Sequence, residues 1–248
     1  MLKRSIVFSY GVLCYVISLG VLAWTAGFLG HFLVPRSIDS PARGDVVVGV
    51  AIDVALVLAF ALQHSVMARP AFKRWWTRVI PPAAERSTYL LATNVVLVLL
   101  FALWRPLGGT IWALEGTPAI VLRSLYGLGW AVLVASTFFI DHFDLFGLRQ
   151  VWLQLRSKEY ENVAFKIAGP YRVVRHPIYV GWLLIVWATP TMTASHLFFA
   201  GATTAYILVA IKLEEKDLVD GLGEAYRQYQ LDVPMLIPRA RSTRDHSS

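Results

Sequence analysis

The stretch Gly169–Gly181 reads GPYRVVRHPIYVG and combines polar side chains with the start of an apolar run. Pro177 suits the first turn of a helix, because its missing N–H would have no intrahelical partner there. His176 is then predicted to cap this helix, and Tyr179 follows one turn later, where the two side chains can share a face. The apolar run at residues 178–188 carries the helix into a membrane. Its positive N-terminal end stays at the water boundary and suits an anionic group.

The composition of the whole chain indicates a membrane protein. Its 248 residues are 56% hydrophobic and 16% charged, and the mean hydropathy of +0.56 exceeds what a soluble domain of this length would carry. We therefore predict an all-α fold, a single polytopic helical domain over residues 1–248 with about five or six membrane segments. The predicted apolar segments are residues 6–29, 46–66, 88–104, 119–140, 178–189 and 197–211. The fifth is shorter than the roughly 20 residues of an untilted span, so it either spans the membrane or forms one arm of a re-entrant hairpin.

The distribution of charge predicts how the chain is oriented. The net charge is +7, with 23 basic residues. Of these, 19 lie at residues 3–4, 69–86, 149–175 and from 212 onward, and four lie in the other connections. By the positive-inside rule the larger set faces the cytoplasm, which places both termini in the cytosol. Because the basic residues alternate between loops and form no single soluble patch, nucleic acid is not predicted as a partner.

The sequence offers few residues for a metal site. Cys14 is the only cysteine and lies inside the first apolar segment, which excludes disulfides and a cysteine-built site. Asp141, His142 and Asp144 place two carboxylates and an imidazole at the end of the fourth segment. Their spacing has neither the Glu-x-x-His nor the His-x-x-x-His pattern of metal ligands, so no metal site is predicted.

Several motifs in the chain occur together in one enzyme family. The stretch Gly169–Gly181 fits the pattern Gly-Pro-Tyr, three residues, Arg-His-Pro-x-Tyr-x-Gly, and the pair Glu214-Glu215 follows about one helical hairpin later. Both resemble the isoprenylcysteine carboxyl methyltransferase family, integral membrane enzymes that use S-adenosylmethionine. Residues 63–70, 85–89 and 141–152 read QHSVMARP, ERSTY and DHFDLFGLRQVW, and are similar to the methanethiol S-methyltransferases within that family.

This resemblance implies a cofactor pocket at the cytosolic face, built by a C-terminal cofactor and catalytic region at residues 141–240 after N-terminal membrane helices at residues 1–140. Residues 149–165 are predicted to form an amphipathic helix, and residues 241–248 a disordered tail. The implied cofactor is S-adenosylmethionine, and its implied ligands are Tyr171, Arg175, His176, Tyr179, Glu214 and Glu215. The implied substrate is a small thiol, most simply methanethiol converted to dimethyl sulfide. Membrane lipid surrounds the protein, and no obligate protein partner is predicted.

A thiol substrate must lose its proton, because the thiolate is the nucleophile and an alkyl thiol is mostly protonated at neutral pH. The predicted cytosolic side chains that could take or favour the removal of this proton are Asp141, His142, Asp144, Asp232 and His64. Asp232 departs from the carboxyl-methylating relatives, which generally have an Arg near this place before Val-Pro. Its negative charge would repel a carboxylate substrate and therefore favours a thiol.

Other functions stay open on the sequence alone. They are methylation of another thiol or of a prenylcysteine-like carboxylate, a reductase of the related membrane sterol reductase fold, and a membrane role without catalysis. A reductase would transfer a hydride from a nicotinamide, and a non-enzymatic protein would bind no cofactor. The Gly-x-Gly stretches at residues 127–129 and 221–223 lack the third glycine of a dinucleotide fingerprint and follow no predicted strand.

Overall fold

The computed structural model describes residues 1–42 and 44–238, and it confirms the predicted all-α class. Within these residues, five helices are long and apolar enough to cross a membrane, and one shorter apolar helix begins at Pro177. The chain is therefore a multi-pass membrane protein. The predicted tail at residues 241–248 lies outside the described residues.

The helices follow the predicted apolar segments closely. They are α1 Leu2–Gly30, α2 Val46–Ala68, α3 Pro70–Trp76, α4 Glu85–Leu103, α5 Gly116–Ile140, α6 His142–Leu145, α7 Leu148–Leu155, α8 Pro177–Trp187, α9 Ala194–Leu222 and α10 Glu224–Asp232. Two short strands, β1 Thr110–Ala113 and β2 Thr191–Thr193, and two 3₁₀ turns, Pro82–Ala84 and Gly169–Arg172, complete the described elements.

Three connections meet at one end of the helix bundle. Strand β1, between α4 and α5, pairs antiparallel with β2, between α8 and α9, so that Thr110 lies opposite Thr193. Asp39, in the connection between α1 and α2, accepts a hydrogen bond from Thr193. We call this the ribbon end, and the opposite end, where α1 begins and α9 ends, the terminal end. The short helix α8 therefore leads from the terminal end to the ribbon end, so the hairpin at residues 178–211 turns level with the connections of the longer helices.

Two glycines let α5 and α8 approach closely. A Cβ atom added to Gly129 would lie 2.8 Å from the carbonyl oxygen of Gly181, and one added to Gly181 would lie 2.7 Å from that of Gly129. Small residues at a helix crossing allow such backbone contact inside a membrane. The crossing fixes the start of α8 beside the end of α5.

Helix α7 is shorter than the amphipathic helix predicted over residues 149–165. It ends at Leu155, and Ser157 adopts a positive φ of 59°. The N–H of Lys158 then donates to the carbonyl of Leu153, and that of Ser157 to the carbonyl of Gln154. These two bonds form a Schellman motif, which usually relies on glycine at the left-handed position. Serine in that position gives no stop signal in the sequence, which is why the predicted helix was too long.

Candidate active site

The start of α8 is held by the segment that follows α10. His176 is the N-cap residue and Pro177 occupies the first turn, as predicted. The backbone N–H groups of Arg175 and His176 donate to the carbonyl oxygens of Pro234 and Met235. These bonds join two segments that are far apart in the chain, so they hold the predicted cofactor motif against the C-terminal segment.

Glu215 joins the end of α9 to the start of α8. Its Oε1 accepts a hydrogen bond of 2.7 Å from Arg175 Nε and lies 3.0 Å from His176 Nε2, while its Oε2 accepts from Gln230 Nε2 at 3.0 Å. The side chains of Arg175, His176 and Glu215 are 10%, 4% and 14% exposed. Charge-assisted hydrogen bonds in such shielded surroundings are among the stronger polar contacts. Both oxygens of Glu215 are thus engaged within the protein.

The neighbouring Glu214 has a different environment. Its side chain is 44% exposed, its Oε2 accepts from the Tyr179 hydroxyl at 3.1 Å, and the same oxygen lies 3.9 Å from His176 Nδ1. One face of this carboxylate is therefore accessible to a ligand, and the Tyr179 hydroxyl holds the other through a hydrogen bond.

Tyr171 places a buried hydroxyl near Glu214. Among the described residues that hydroxyl has no hydrogen-bond partner, although Tyr229 donates to the Tyr171 carbonyl at 2.6 Å. Burial raises the pKa of Tyr171, and the Glu214 carboxylate nearby adds to the shift. Buried polar groups are normally hydrogen-bonded, so the unpaired hydroxyl indicates a place where a ligand atom would be favourable.

The structure also brings His64 to this region. The Tyr89 hydroxyl lies 2.9 Å from each ring nitrogen of His64, and Phe60 stacks on the same ring at 5.1 Å between centroids. Phe60 also packs edge-on against Tyr206, which is close enough to Glu214 to interact with its charge. Helices α2, α4, α8 and α9 therefore share one polar region at the terminal end, which we call the glutamate cluster. Its members are His64, Tyr89, Tyr171, Arg175, His176, Tyr179, Tyr206, Glu214, Glu215 and Gln230.

Tyr89, Tyr206 and Gln230 were not predicted from the sequence. The first two are hydroxyl-bearing residues inside apolar helices, and such a residue is as often an interfacial anchor as a site residue. The available signal was positional for Tyr89 alone, which lies in the first turns of α4, whereas Tyr206 lies near the middle of α9.

The residues Asp141, His142 and Asp144 have other partners. Asp141 caps α6 by accepting from the Asp144 N–H at 3.0 Å, and Asp144 accepts from Arg149 at 3.0 Å. His142 lies 2.9 Å from the Tyr15 hydroxyl and 2.8 Å from that of Thr137, and burial lowers its pKa. The partners of this group are on α1, α5 and α7, and Tyr160 in the connection after α7 also donates to Asp144 at 3.3 Å. Among the described residues, none of these partners belongs to the glutamate cluster.

Asp232, the fifth predicted catalytic residue, is exposed at the last position of α10. Its carboxylate accepts from Gln228 Nε2 at 3.0 Å. The following residue, Val233, accepts through its carbonyl from Arg175. Asp232 is thus next to the glutamate cluster in sequence. Its side chain, however, is hydrogen-bonded to a residue of its own helix, α10.

An apolar groove of about 750 Å³ runs beside the glutamate cluster. Met235, whose carbonyl holds His176, lies on its wall, as does Val180, which follows Tyr179 in α8. The other lining residues are Leu122, Leu125, Leu183, Leu184, Trp187, Ala188, Leu208, Pro234, Leu236 and Ile237. Its lining suits a small apolar molecule or a lipid chain.

Comparison with known proteins identifies the family. A family model described as phospholipid methyltransferase matches residues 119–225, from α5 to the start of α10. The chain is 52% identical over 238 residues to the methanethiol S-methyltransferase of Crocosphaera subtropica, covering 96% of this chain and 93% of that protein. It is 46% identical over 239 residues to the methanethiol S-methyltransferase of Mycobacterium tuberculosis, covering 96% and 98%.

A more distant relative is the nurim homologue of Drosophila pseudoobscura, 31% identical over 242 residues, covering 89% of this chain and 92% of that protein. No solved structure matches the chain significantly. The identity to the bacterial enzymes extends over nearly the full length and includes every helix of the glutamate cluster. The chain therefore belongs to the methanethiol S-methyltransferases, a family of multi-pass membrane enzymes that transfer methyl groups.

Proposed function

We propose that this protein transfers the methyl group of S-adenosylmethionine to methanethiol and so produces dimethyl sulfide. The observation that carries the proposal is the glutamate cluster, where the start of α8 and the end of α9 meet through Arg175, His176 and Glu215. Relatives that are 52% and 46% identical to this chain bear the name of this reaction.

The charges of the glutamate cluster fit the proposed cofactor. S-adenosylmethionine has a sulfonium and an ammonium group, which suit the accessible carboxylate of Glu214. Its own carboxylate suits the positive N-terminal end of α8. Its ribose hydroxyls or ring nitrogens can pair with the buried Tyr171 hydroxyl, which has no partner among the described residues. When bound, it supplies an electrophilic methyl group.

His64 is the proposed proton acceptor. Transfer of a methyl group to a thiol requires that the sulfur has lost its proton, because the thiolate is a stronger nucleophile than the thiol. Of the predicted bases, His64 is the one whose partners, Tyr89 and Phe60, lie in the glutamate cluster or contact it. A ring nitrogen of His64 would take the thiol proton, which would leave a sulfur lone pair free to accept the methyl group, with S-adenosylhomocysteine as the second product. Asp141, His142, Asp144 and Asp232 stay predictions as alternative bases.

The apolar groove supports a small uncharged acceptor. Methanethiol is neutral before deprotonation and partitions into apolar surroundings, and the groove walls near Val180 and Met235 adjoin the glutamate cluster. A membrane enzyme also excludes bulk water from the reacting atoms, which strengthens the electrostatic contacts there. A charged thiol such as a cysteine zwitterion would have to lose its hydration in the same groove, and removing charged groups from water costs free energy.

The acceptor is tested with purified protein in detergent micelles. With S-adenosylmethionine present, methanethiol should give dimethyl sulfide in the headspace, and ethanethiol should give ethyl methyl sulfide more slowly. Cysteine and a prenylcysteine should give no methylated product above the protein-free control. Methylation of the prenylcysteine carboxylate, without product from methanethiol, would contradict the proposed acceptor.

A further inference from the structure

The ribbon end has a second group of polar side chains, at the opposite end of α9 from the glutamate cluster. His31 follows the last turn of α1, Asp39 lies in the connection to α2, and His196 is in the first turn of α9. His31 Nε2 lies 2.5 Å, and His196 Nδ1 2.8 Å, from the same oxygen, Asp39 Oδ2. At 1.5 Å of rise per residue, roughly 27 Å of helix separates His196 from Glu214. The group is therefore not part of the proposed methyl-transfer site.

The hydrogen bonds of His196 favour a cation in this group. Its ring is fully buried, and Nε2 lies 3.0 Å from the carbonyl oxygen of Val186. A carbonyl can only accept, so Nε2 holds the hydrogen. In a neutral ring, Nδ1 then directs its lone pair at the Asp39 carboxylate, whose side chain is only 3% exposed. Two acceptors in buried contact are unfavourable unless a cation or an additional proton lies between them.

The surrounding hydrogen bonds have the arrangement found around metal ligands. A histidine that binds a metal almost always hydrogen-bonds through its other ring nitrogen, and a ligating carboxylate is itself hydrogen-bonded. Each of the three side chains here has such an outer partner. The partners are Val186 O for His196, Ser37 Oγ for His31 and Thr193 Oγ1 for Asp39.

We propose that His31, Asp39 and His196 bind a divalent transition-metal ion of the zinc class. Their donor atoms lie within 4.8 Å of one another. Metal bonds of about 2.0–2.2 Å in a tetrahedral site keep donors roughly 3.3 Å apart, so the two rings need to move from Asp39 by roughly 0.5–0.8 Å. Two imidazoles and one carboxylate suit zinc, whereas calcium and magnesium prefer oxygen ligands alone. The His31 side chain is 33% exposed, so water can reach this side of the group as a fourth ligand.

A metal ion bound at this position would stabilise the folded protein. It would tie the end of α1, the connection to α2 and the start of α9 together, and through Val186 it would reach the end of α8. These elements are far apart in the chain, so the ion would link segments that no single helix hairpin brings together. Metal binding that occurs only in the folded state contributes to folding free energy.

The first test measures metal content. The full chain is purified in detergent through a tag that contains no histidine, exposed to excess zinc chloride, and dialysed before elemental analysis. We expect about one zinc ion per chain, as for a single four-coordinate site. His31→Gln, the least buried of the three changes, and Asp39→Asn should each lower the zinc content at least about tenfold, since each removes a ligand. His142→Gln, which removes a histidine at the terminal end, should keep the zinc.

The second test measures stability and does not depend on turnover. Chelator-treated wild-type protein should gain roughly 5–10 °C in its unfolding midpoint when free zinc reaches about a hundredfold above the dissociation constant. The His31→Gln protein should gain nothing. Zinc content in the wild type no higher than in His31→Gln, or an equal thermal shift in both, would overturn the proposal and leave a protonated His196 paired with Asp39.

Discussion

At the scale of single residues, the two adjacent glutamates have separate roles. Both oxygens of Glu215 are engaged by Arg175, His176 and Gln230, and its side chain is largely buried. Glu214 keeps an accessible face. We therefore expect Glu215 to hold the helix ends together and Glu214 to meet the cofactor, although the sequence motif assigns both to cofactor binding.

Glu214→Gln and Glu215→Gln should consequently differ. Loss of a ligand contact at Glu214 should weaken S-adenosylmethionine binding about five- to 150-fold, corresponding to roughly 1–3 kcal/mol, with an unfolding midpoint near that of the wild type. Glu215→Gln leaves the largely buried Arg175 without its carboxylate, which should cost about 3–5 kcal/mol of stability. Calorimetric titration and thermal unfolding without cofactor give the two quantities. Wild-type cofactor affinity in well-folded Glu214→Gln protein would remove Glu214 from the site.

The proton acceptor is also a question at the residue scale. His64→Gln should lower kcat/KM for methanethiol about 10²–10⁴-fold at neutral pH, because a general base is lost. Raising the pH, or using a more acidic thiol, should restore part of the rate by supplying thiolate, and cofactor affinity should stay the same. The matched variants are Asp141→Asn, His142→Gln, Asp144→Asn and Asp232→Asn. If one of these shows the pattern and His64→Gln does not, the base is the residue changed in that variant. If none does, positioning alone carries the reaction.

At the scale of elements, the crossing of α5 and α8 determines where the predicted cofactor motif lies. Each glycine at the crossing faces the backbone of the other helix, whereas Gly127, two residues before Gly129 and about half a turn round α5, has no atom within 4 Å of an added Cβ. The motif at residues 169–181 precedes and begins α8, so a shift at the crossing would move His176 relative to Glu215.

Gly181→Ala should therefore destabilise the protein, and Gly127→Ala should not. Forcing a methyl group to 2.7 Å from the Gly129 carbonyl should cost about 1–3 kcal/mol. For a chain of this size that corresponds to roughly 2–12 °C in unfolding midpoint. Differential scanning fluorimetry in detergent measures both variants under one condition. Equal midpoints would show that α5 and α8 do not touch at this crossing.

Most elements could be predicted from the sequence, and the tertiary clusters could not. Runs of about 20 apolar residues specify helices by themselves, because the backbone inside a membrane must satisfy its own hydrogen bonds. The end of α7 was missed because Ser157 adopts a conformation usually taken by glycine. The predicted absence of a metal site rested on local spacing, whereas His31, Asp39 and His196 meet only when the connection between α1 and α2 lies against the start of α9. Pairing of Tyr89 with His64 likewise requires two helices to be placed side by side.

At the scale of the whole molecule, both described chain ends lie at the terminal end, and the positive-inside rule predicts that this end is cytosolic. A reporter that is active only outside the cytoplasm should be silent when fused to either terminus. The same reporter inserted after Glu115, in the connection between α4 and α5 at the ribbon end, should be active. Activity from the C-terminal fusion would reverse the predicted orientation and put the glutamate cluster on the outer face.

The central claim is that the glutamate cluster moves a methyl group from S-adenosylmethionine to a thiol. Purified protein is given S-adenosylmethionine with a trideuterated methyl group and unlabelled methanethiol, and the headspace is analysed by mass spectrometry. The wild type should release dimethyl sulfide heavier by three mass units, and His176→Ala, which removes a contact to Glu215, should release far less at the same protein concentration. Unlabelled product, no product from the wild type, or equal labelled product from folded His176→Ala would contradict the account.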